Sequence, residues 1–176
     1  SALTQITENW YNLIKKAHKE ALYMKILVCT DGSSHSQKAL EKASILAERA
    51  KVEEVAIIHV YEGKFEFPHY DDASIGYTAT DADLKYIKEQ YKIQREKGER
   101  ILQQALKFFS QKNINARTIL RKGHPARTIV SVAAEEGFDL VFIGSRGLGG
   151  LKRMFLGSVS NAVVQEIQNC SVVIVK

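Results

Sequence analysis

A glycine-rich segment near the C-terminus has the composition of a phosphate-binding loop. It runs from Gly144 to Gly157 and leads into a helix that we predict to begin at Ser158. Glycines let backbone N–H groups approach an anion closely, and the new helix adds the positive end of its dipole. Its cationic residues and nearby hydroxyls are Arg146, Lys152, Arg153, Ser158 and Ser160. The alternative interpretation is a flexible connection with a serine cap.

A second polar turn follows the first predicted strand. Its sequence is Thr30-Asp31-Gly32-Ser33-Ser34. In open parallel sheets, ligands bind beyond the carboxyl ends of the strands, where the winding reverses. Since both polar segments follow strands, the sequence predicts one crevice built from the two of them. Asp31 also has a purely structural interpretation, as a turn or cap residue.

Three common phosphate motifs do not fit these segments. A Walker A loop starting at Gly144 would need lysine and serine or threonine where Gly150 and Leu151 stand. A dinucleotide fingerprint starting at Gly147 would need glycine at Lys152. The turn after the first strand matches neither that fingerprint nor the loop of ATP pyrophosphatases. The sequence therefore disfavours lysine-assisted phosphoryl transfer and hydride transfer.

One glycine pattern fits the segment without a gap. It is G-x2-G-x9-G-[S/T], and Gly144, Gly147, Gly157 and Ser158 fill it. With this pattern, residues 24–176 resemble the universal stress protein family, in the branch that binds ATP. The other matching stretches are Thr30-Asp31-Gly32-Ser33, His59-Val60, Gly123-His124-Pro125 and the closing residues 170–175.

The resemblance implies an adenine nucleotide, with ATP first and AMP, ADP or a cyclic nucleotide as alternatives. It also implies a Mg2+ or Mn2+ ion between the phosphates. Asp31 would approach the ribose or the adenine edge, and Val60, which is otherwise a core residue, would contact adenine. The implied nucleotide-binding residues are Thr30, Asp31, Val60, Gly144, Arg146, Gly147, Gly157, Ser158, Val159 and Ser160.

Short apolar runs alternate with amphipathic stretches along the chain. The predicted strands are 25–30, 54–61, 114–120, 139–143 and 171–175. The predicted helices between them are 36–50, 81–112, 158–168 and one from Pro125 that ends at Gly137. The apolar stripe predicted for helix 81–112 consists of Leu84, Ile87, Tyr91, Gly98, Ile101, Leu102, Ala105 and Phe108. Continuous apolar strands indicate burial on both faces. The fold class is therefore α/β, a single doubly wound five-stranded parallel sheet that is Rossmann-like and similar to that of adenine nucleotide alpha-hydrolases.

Two segments depart from the simplest members of the family. Residues 1–23 are predicted to be an N-terminal helical extension, with an apolar stripe at Trp10, Leu13, Ile14, Ala17 and Ala21. Residues 24–176 would form the nucleotide-binding domain. The stretch 62–80 has aromatics and no clear period, and we expect a long loop that could cover the nucleotide.

The composition excludes several classes of protein. The chain has 176 residues, 45% of them hydrophobic and 26% charged, with no apolar run long enough to span a bilayer. No secretory pattern precedes the first strand, so we expect a cytoplasmic protein with two reduced cysteines, Cys29 and Cys170. The net charge of +5 is dispersed along the chain, which makes nucleic acid an unlikely partner.

Two functions remain open at this point. The first is a nucleotide-dependent regulatory protein, which the resemblance further implies to be a homodimer joined through its last strand, acting on an unknown protein partner. The second is a slow ATPase or an autophosphorylating phosphotransferase. For that reaction, Asp31 and His124 are the candidate bases, and Ser145, Ser158 and Ser160 are the candidate acceptors.

Overall fold

The described strands are short, mostly apolar and all parallel. A computed structural model describes residues 24–50, 52–63, 80–148 and 156–176. The strands are β1 (Met24–Cys29), β2 (Val52–Tyr61), β3 (Arg117–Lys122), β4 (Leu140–Gly144) and β5 (Ser171–Val175). The helices are α1 (Ser34–Arg49), α2 (Asp81–Gln111), α3 (Pro125–Glu135) and α4 (Ser158–Glu166). None of these helices is both long and apolar enough to cross a membrane.

Some predicted features lie outside the described residues. They are the N-terminal helix, residues 64–79 of the predicted loop, and the middle of the glycine-rich segment with Lys152 and Arg153. The possible cover over the nucleotide therefore stays a prediction.

The sheet reverses its winding at β1. The strand order is β3-β2-β1-β4-β5. Val28 of β1 is in register with Ile57 of β2 on one side and with Phe142 of β4 on the other. The chain thus adds β2 and β3 in one direction and then crosses over to add β4 and β5 in the other. This topology opens a crevice between the carboxyl ends of β1 and β4.

Alternate residues of each inner strand enter two separate cores. Ile26 and Val28 face the core that α1 and α2 cover, whereas Leu27 and Cys29 face the core of α3 and α4. All four side chains are nearly inaccessible to solvent. Burial on both faces accounts for the continuous apolar runs, and the predicted doubly wound α/β fold is confirmed.

The start of β3 was predicted three residues too early. Ile114 closes the end of α2 instead, because its N–H donates to the carbonyl of Phe109 at 3.1 Å. Asn113, just before it, adopts a left-handed conformation with φ of 58°. The apolar side chains of 114 and 116 made this connection resemble a strand, but β3 begins at Arg117.

The buried face of α2 also differs from the predicted stripe. Phe109 is fully buried, while Phe108 packs edge-on against it at 5.6 Å between ring centroids. Leu84 is 46% exposed. The 31-residue helix extends past the sheet, since Tyr91 already lies under Lys122, the last residue of β3. Residues near its start therefore lie beyond the ends of the described strands.

Candidate functional site

A cavity opens at the carboxyl ends of the central strands. Its volume is about 340 Å³, within the range of small-molecule sites. It is lined by the ends of β1, β2 and β4 and by the first turns of α1, α3 and α4. The cavity lies at the reversal between β1 and β4, the position that the sequence predicts.

All ten residues predicted from the resemblance line this one cavity. They are Thr30, Asp31, Val60, Gly144, Arg146, Gly147, Gly157, Ser158, Val159 and Ser160. The structure thus brings them together, and their contact with a nucleotide stays a prediction.

Eight further lining residues were not predicted. They are Cys29, Ser36, Ile58, Pro125, Ile129, Ile143, Leu148 and Leu156. All of them except Ser36 are apolar, and most lie near strand ends or near the start of α3. Only the Gly-His-Pro turn before α3 was a sequence signal for any of them. These residues give the cavity a largely apolar lining that suits a nucleobase.

The carboxylate of Asp31 joins the loops that follow β1 and β4. One oxygen, Oδ1, accepts the N–H of Ser33 at 3.0 Å and so closes a local turn. The other oxygen, Oδ2, accepts the N–H of Leu148 at 3.1 Å, across 117 positions of sequence. Asp31 is therefore both a turn residue and a link between the two walls of the crevice.

Buried hydroxyls hold the turn that carries Asp31. Ser33 caps α1, because its Oγ accepts the N–H of Ser36 at 3.2 Å. The hydroxyl of Ser36 donates to the carbonyl of Ser33 at 2.9 Å and lies 3.2 Å from the hydroxyl of Thr30. The Thr30 hydroxyl is thus committed to this cluster, which fixes the end of β1 against the first turn of α1.

A histidine ties the ends of β1 and β2. Nδ1 of His59 lies 2.8 Å from the carbonyl oxygen of Thr30 and donates to it. The next residue, Val60, is half-buried and faces the cavity. Because the His59 ring also packs against Gly98 of α2, the strand end beside Val60 is held on two sides.

The three motif glycines have different surroundings. A Cβ on Gly144 would lie 2.8 Å from the carbonyl carbon of His35 and 2.9 Å from the nitrogen of Ser36, both backbone atoms of α1. A Cβ on Gly147 would lie 2.6 Å from Oδ2 of Asp31. Among the described residues, a Cβ on Gly157 would meet nothing closer than 3.5 Å, which is ordinary contact. Of the three motif glycines, Gly157 is thus the one whose glycine no described neighbour requires.

The first turn of α4 is open to an anion. Its N-cap is Gly157, and no side chain of the described residues caps the helix. Helix starts leave backbone N–H groups without partners in the helix, and these groups together with the dipole favour a negative charge. Ser158 is exposed at the first helical position, and the half-buried Arg146 lines the same cavity. This end of the cavity is suited to phosphate.

Ser160 stabilises the loop before α4, in addition to its predicted role in nucleotide binding. Its side chain is 2% exposed, and its hydroxyl lies 3.1 Å from the carbonyl oxygen of Ser145 and 3.0 Å from that of Gly157. The hydroxyl proton is therefore donated to these backbone carbonyls, and only the lone pairs of the oxygen are available to a ligand.

The cavity wall contains one thiol. Cys29 is 5% exposed, and burial raises the pKa of its thiol well above the ordinary range. A protonated thiol is a weak nucleophile, so Cys29 contributes to the apolar wall as a small hydrophobic group.

The residues present do not form a protein-held metal site. Among the described residues, no three His, Cys, Asp or Glu side chains are grouped as metal ligands. Asp31 is the one carboxylate among the described lining residues, and both of its oxygens accept backbone N–H groups. An ion would have to depend mainly on the phosphates of the ligand.

A parallel sheet with a cavity at its reversal point is typical of doubly wound α/β proteins, in which ligands bind beyond the carboxyl ends of the strands. Comparison with known proteins identifies the family. The family described as "Universal stress protein family" matches residues 22–176. Universal stress protein YxiE of Bacillus subtilis is 36% identical over 160 residues, covering 88% of this chain and all of the relative. The chain therefore belongs to the universal stress protein family.

Solved structures agree with this assignment. Universal stress protein UspA from Lactobacillus plantarum superposes with a TM-score of 0.71 at 23% identity, covering 88% of this chain and 98% of the other. A universal stress protein in complex with cAMP superposes with a TM-score of 0.58 at 26% identity, covering 88% and 98%. The first shares the fold, and the second is a neighbour that binds an adenine nucleotide.

Proposed function

We propose that this protein binds an adenine nucleotide, ATP before AMP or ADP, and acts as a cytoplasmic nucleotide-dependent regulatory protein of the stress response. One observation carries the proposal: two loops and a helix start, all predicted from the sequence, converge on one cavity, and no described side chain caps that helix. The cAMP complex of a neighbour supports the choice of an adenine nucleotide.

The cavity suggests how the ligand would lie. The apolar side, with Ile58, Val60 and Ile129, would hold the base. The open turn of α4 and the cation of Arg146 would hold the phosphates. Asp31, between these two ends, would accept a ribose hydroxyl with its remaining lone pairs.

The polar groups of the cavity favour binding over catalysis. Asp31 is already bonded to two backbone N–H groups, and His124 is exposed and is not among the lining residues. Of the hydroxyls considered for autophosphorylation, Ser145 and Ser160 are each 2% exposed, while Ser158 is exposed in the lining. The alternative function, a slow phosphotransferase, would therefore use Ser158 as its acceptor.

Freshly purified protein is expected to release ATP, or another adenine nucleotide, when it is denatured and analysed by mass spectrometry. After refilling with ATP and Mg2+, the bound nucleotide should stay intact for hours, with no phosphate on Ser158. Steady ADP release that a Gly157→Val variant lacks would make the protein an enzyme. Absence of both co-purified nucleotide and binding of added nucleotide would refute the proposal.

We also propose that β5 joins two copies of the chain. In the described sheet β5 is an edge strand that pairs with β4 alone. Its residues Val172, Val173 and Ile174 are only half-buried, and an apolar edge needs cover. Sedimentation velocity should give about twice the chain mass of 19.8 kDa. A single species at the monomer mass at micromolar concentration would contradict this interface.

A further inference from the structure

The side chain of Asp31 occupies the space that a side chain at position 147 would need. A Cβ built on Gly147 would lie 2.6 Å from Oδ2 of Asp31, closer than real Cβ contacts. The same oxygen accepts the N–H of the following residue, Leu148. Glycine at this position thus leaves room for the carboxylate to contact the loop after β4.

No other described atom accounts for a glycine at 147. Among the described residues other than its chain neighbours, the only atoms within 4 Å of the built Cβ are Oδ2 and Cγ of Asp31. The backbone of Gly147 is not left-handed either, unlike that of Gly32, whose φ is +80°. An alanine would therefore be strained only by the carboxylate, and the carboxylate could rotate away.

We propose that Gly147 is a positioning residue for Asp31. Its missing side chain lets Asp31 bond both Ser33 and Leu148, which joins the two walls of the crevice before any ligand arrives. With an alanine at 147, Asp31 would turn away and release Leu148, while the fold around it would be retained. The effect on ligand binding rests on the proposed function, in which Asp31 contacts the nucleotide.

A double-mutant cycle on ATP binding tests this assignment. By calorimetry, Gly147→Ala should weaken binding about tenfold, the size expected when a bond to a charged group is lost. Asp31→Ala should weaken it at least as much. The double variant should match Asp31→Ala, because removing the carboxylate removes the clash. If the two losses multiply, or if Gly147→Ala has no effect, position 147 does not act through Asp31.

A second measurement needs no ligand, so it separates failure of this inference from failure of the proposed function. In the nucleotide-free protein, hydrogen exchange at the Leu148 amide should speed up equally in Gly147→Ala and Asp31→Ala. Gly157→Ala, whose Cβ meets only ordinary contacts, is the matched control and should leave that exchange unchanged. Protection of Leu148 that persists in Gly147→Ala would overturn the inference, whatever the wild-type protein binds.

Discussion

Gly157→Val is expected to abolish ATP binding, with a loss of more than about a hundredfold, in a protein that still folds. Gly157 lines the cavity and is the N-cap of α4, with φ of −69° and ψ of 160°, a conformation that valine adopts readily. The branched side chain would project over the open turn of the helix. It would then stand between the phosphates and the backbone N–H groups that we expect to bind them. Calorimetry with ATP and Mg2+ measures the loss.

Gly157→Ala is the control for this experiment. Glycine is preferred over both alanine and valine at the N-cap of a helix. Both variants lose this preference, so it does not explain a difference in binding between them. The alanine Cβ would meet no atom of the described part of the chain nearer than 3.5 Å. Partial binding in Gly157→Ala and none in Gly157→Val would locate the obstruction in the ligand path. Wild-type affinity in Gly157→Val would remove Gly157 from the site.

The order and type of the described elements were predictable because burial on both faces leaves a strong signal. Continuous apolar runs mark the strands, and each predicted run overlaps an observed strand. The crevice followed from the same alternation, since a polar turn after β1 and a glycine-rich turn after β4 meet only if β1 and β4 are neighbours. The residue types of the two turns and the strand order therefore indicate the same position for the site.

The details that failed depend on contacts between distant segments. The choice of Phe109 over Phe108 as the buried ring depends on how α2 sits on the sheet. Ile114 was assigned to β3 because its hydrogen bond to the end of α2 leaves no trace in a hydrophobic pattern. Ser36 enters the cavity wall only because α1 crosses the end of β4. Hydrophobic periodicity predicts which face of a helix or strand is buried, but it does not predict which distant residues pack against that face.

The spacing of the glycines identified the motif, but it could not show why each position needs a glycine. Seen in the structure, Gly144 accommodates a helix backbone, Gly147 accommodates a carboxylate, and Gly157 borders open cavity. The sequence pattern treats all three as one phosphate-binding signal. The distinction arises because α1 and Asp31 come from a part of the chain more than a hundred residues away.

Gly144→Ala is expected to have the largest effect on stability of any single alanine in this motif. The new Cβ would lie 2.8 Å and 2.9 Å from backbone atoms of α1, which cannot rotate aside as a side chain can. Overpacking of this kind costs about 1–3 kcal/mol. In a chain of 176 residues that corresponds to a fall in Tm of roughly 3–10 °C, measurable by calorimetric thermal unfolding.

Gly147→Ala is the matched control, because it makes the same change in the same loop against a carboxylate that can move. Its Tm should stay near that of the wild-type protein, while its ATP affinity falls. Gly144→Ala should show the opposite order, with stability affected first. If both variants lose stability equally, the contact with α1 does not distinguish Gly144. If Gly144→Ala is as stable as wild-type protein, α1 can shift without cost, and the first glycine of the motif would have to be explained by the ligand instead.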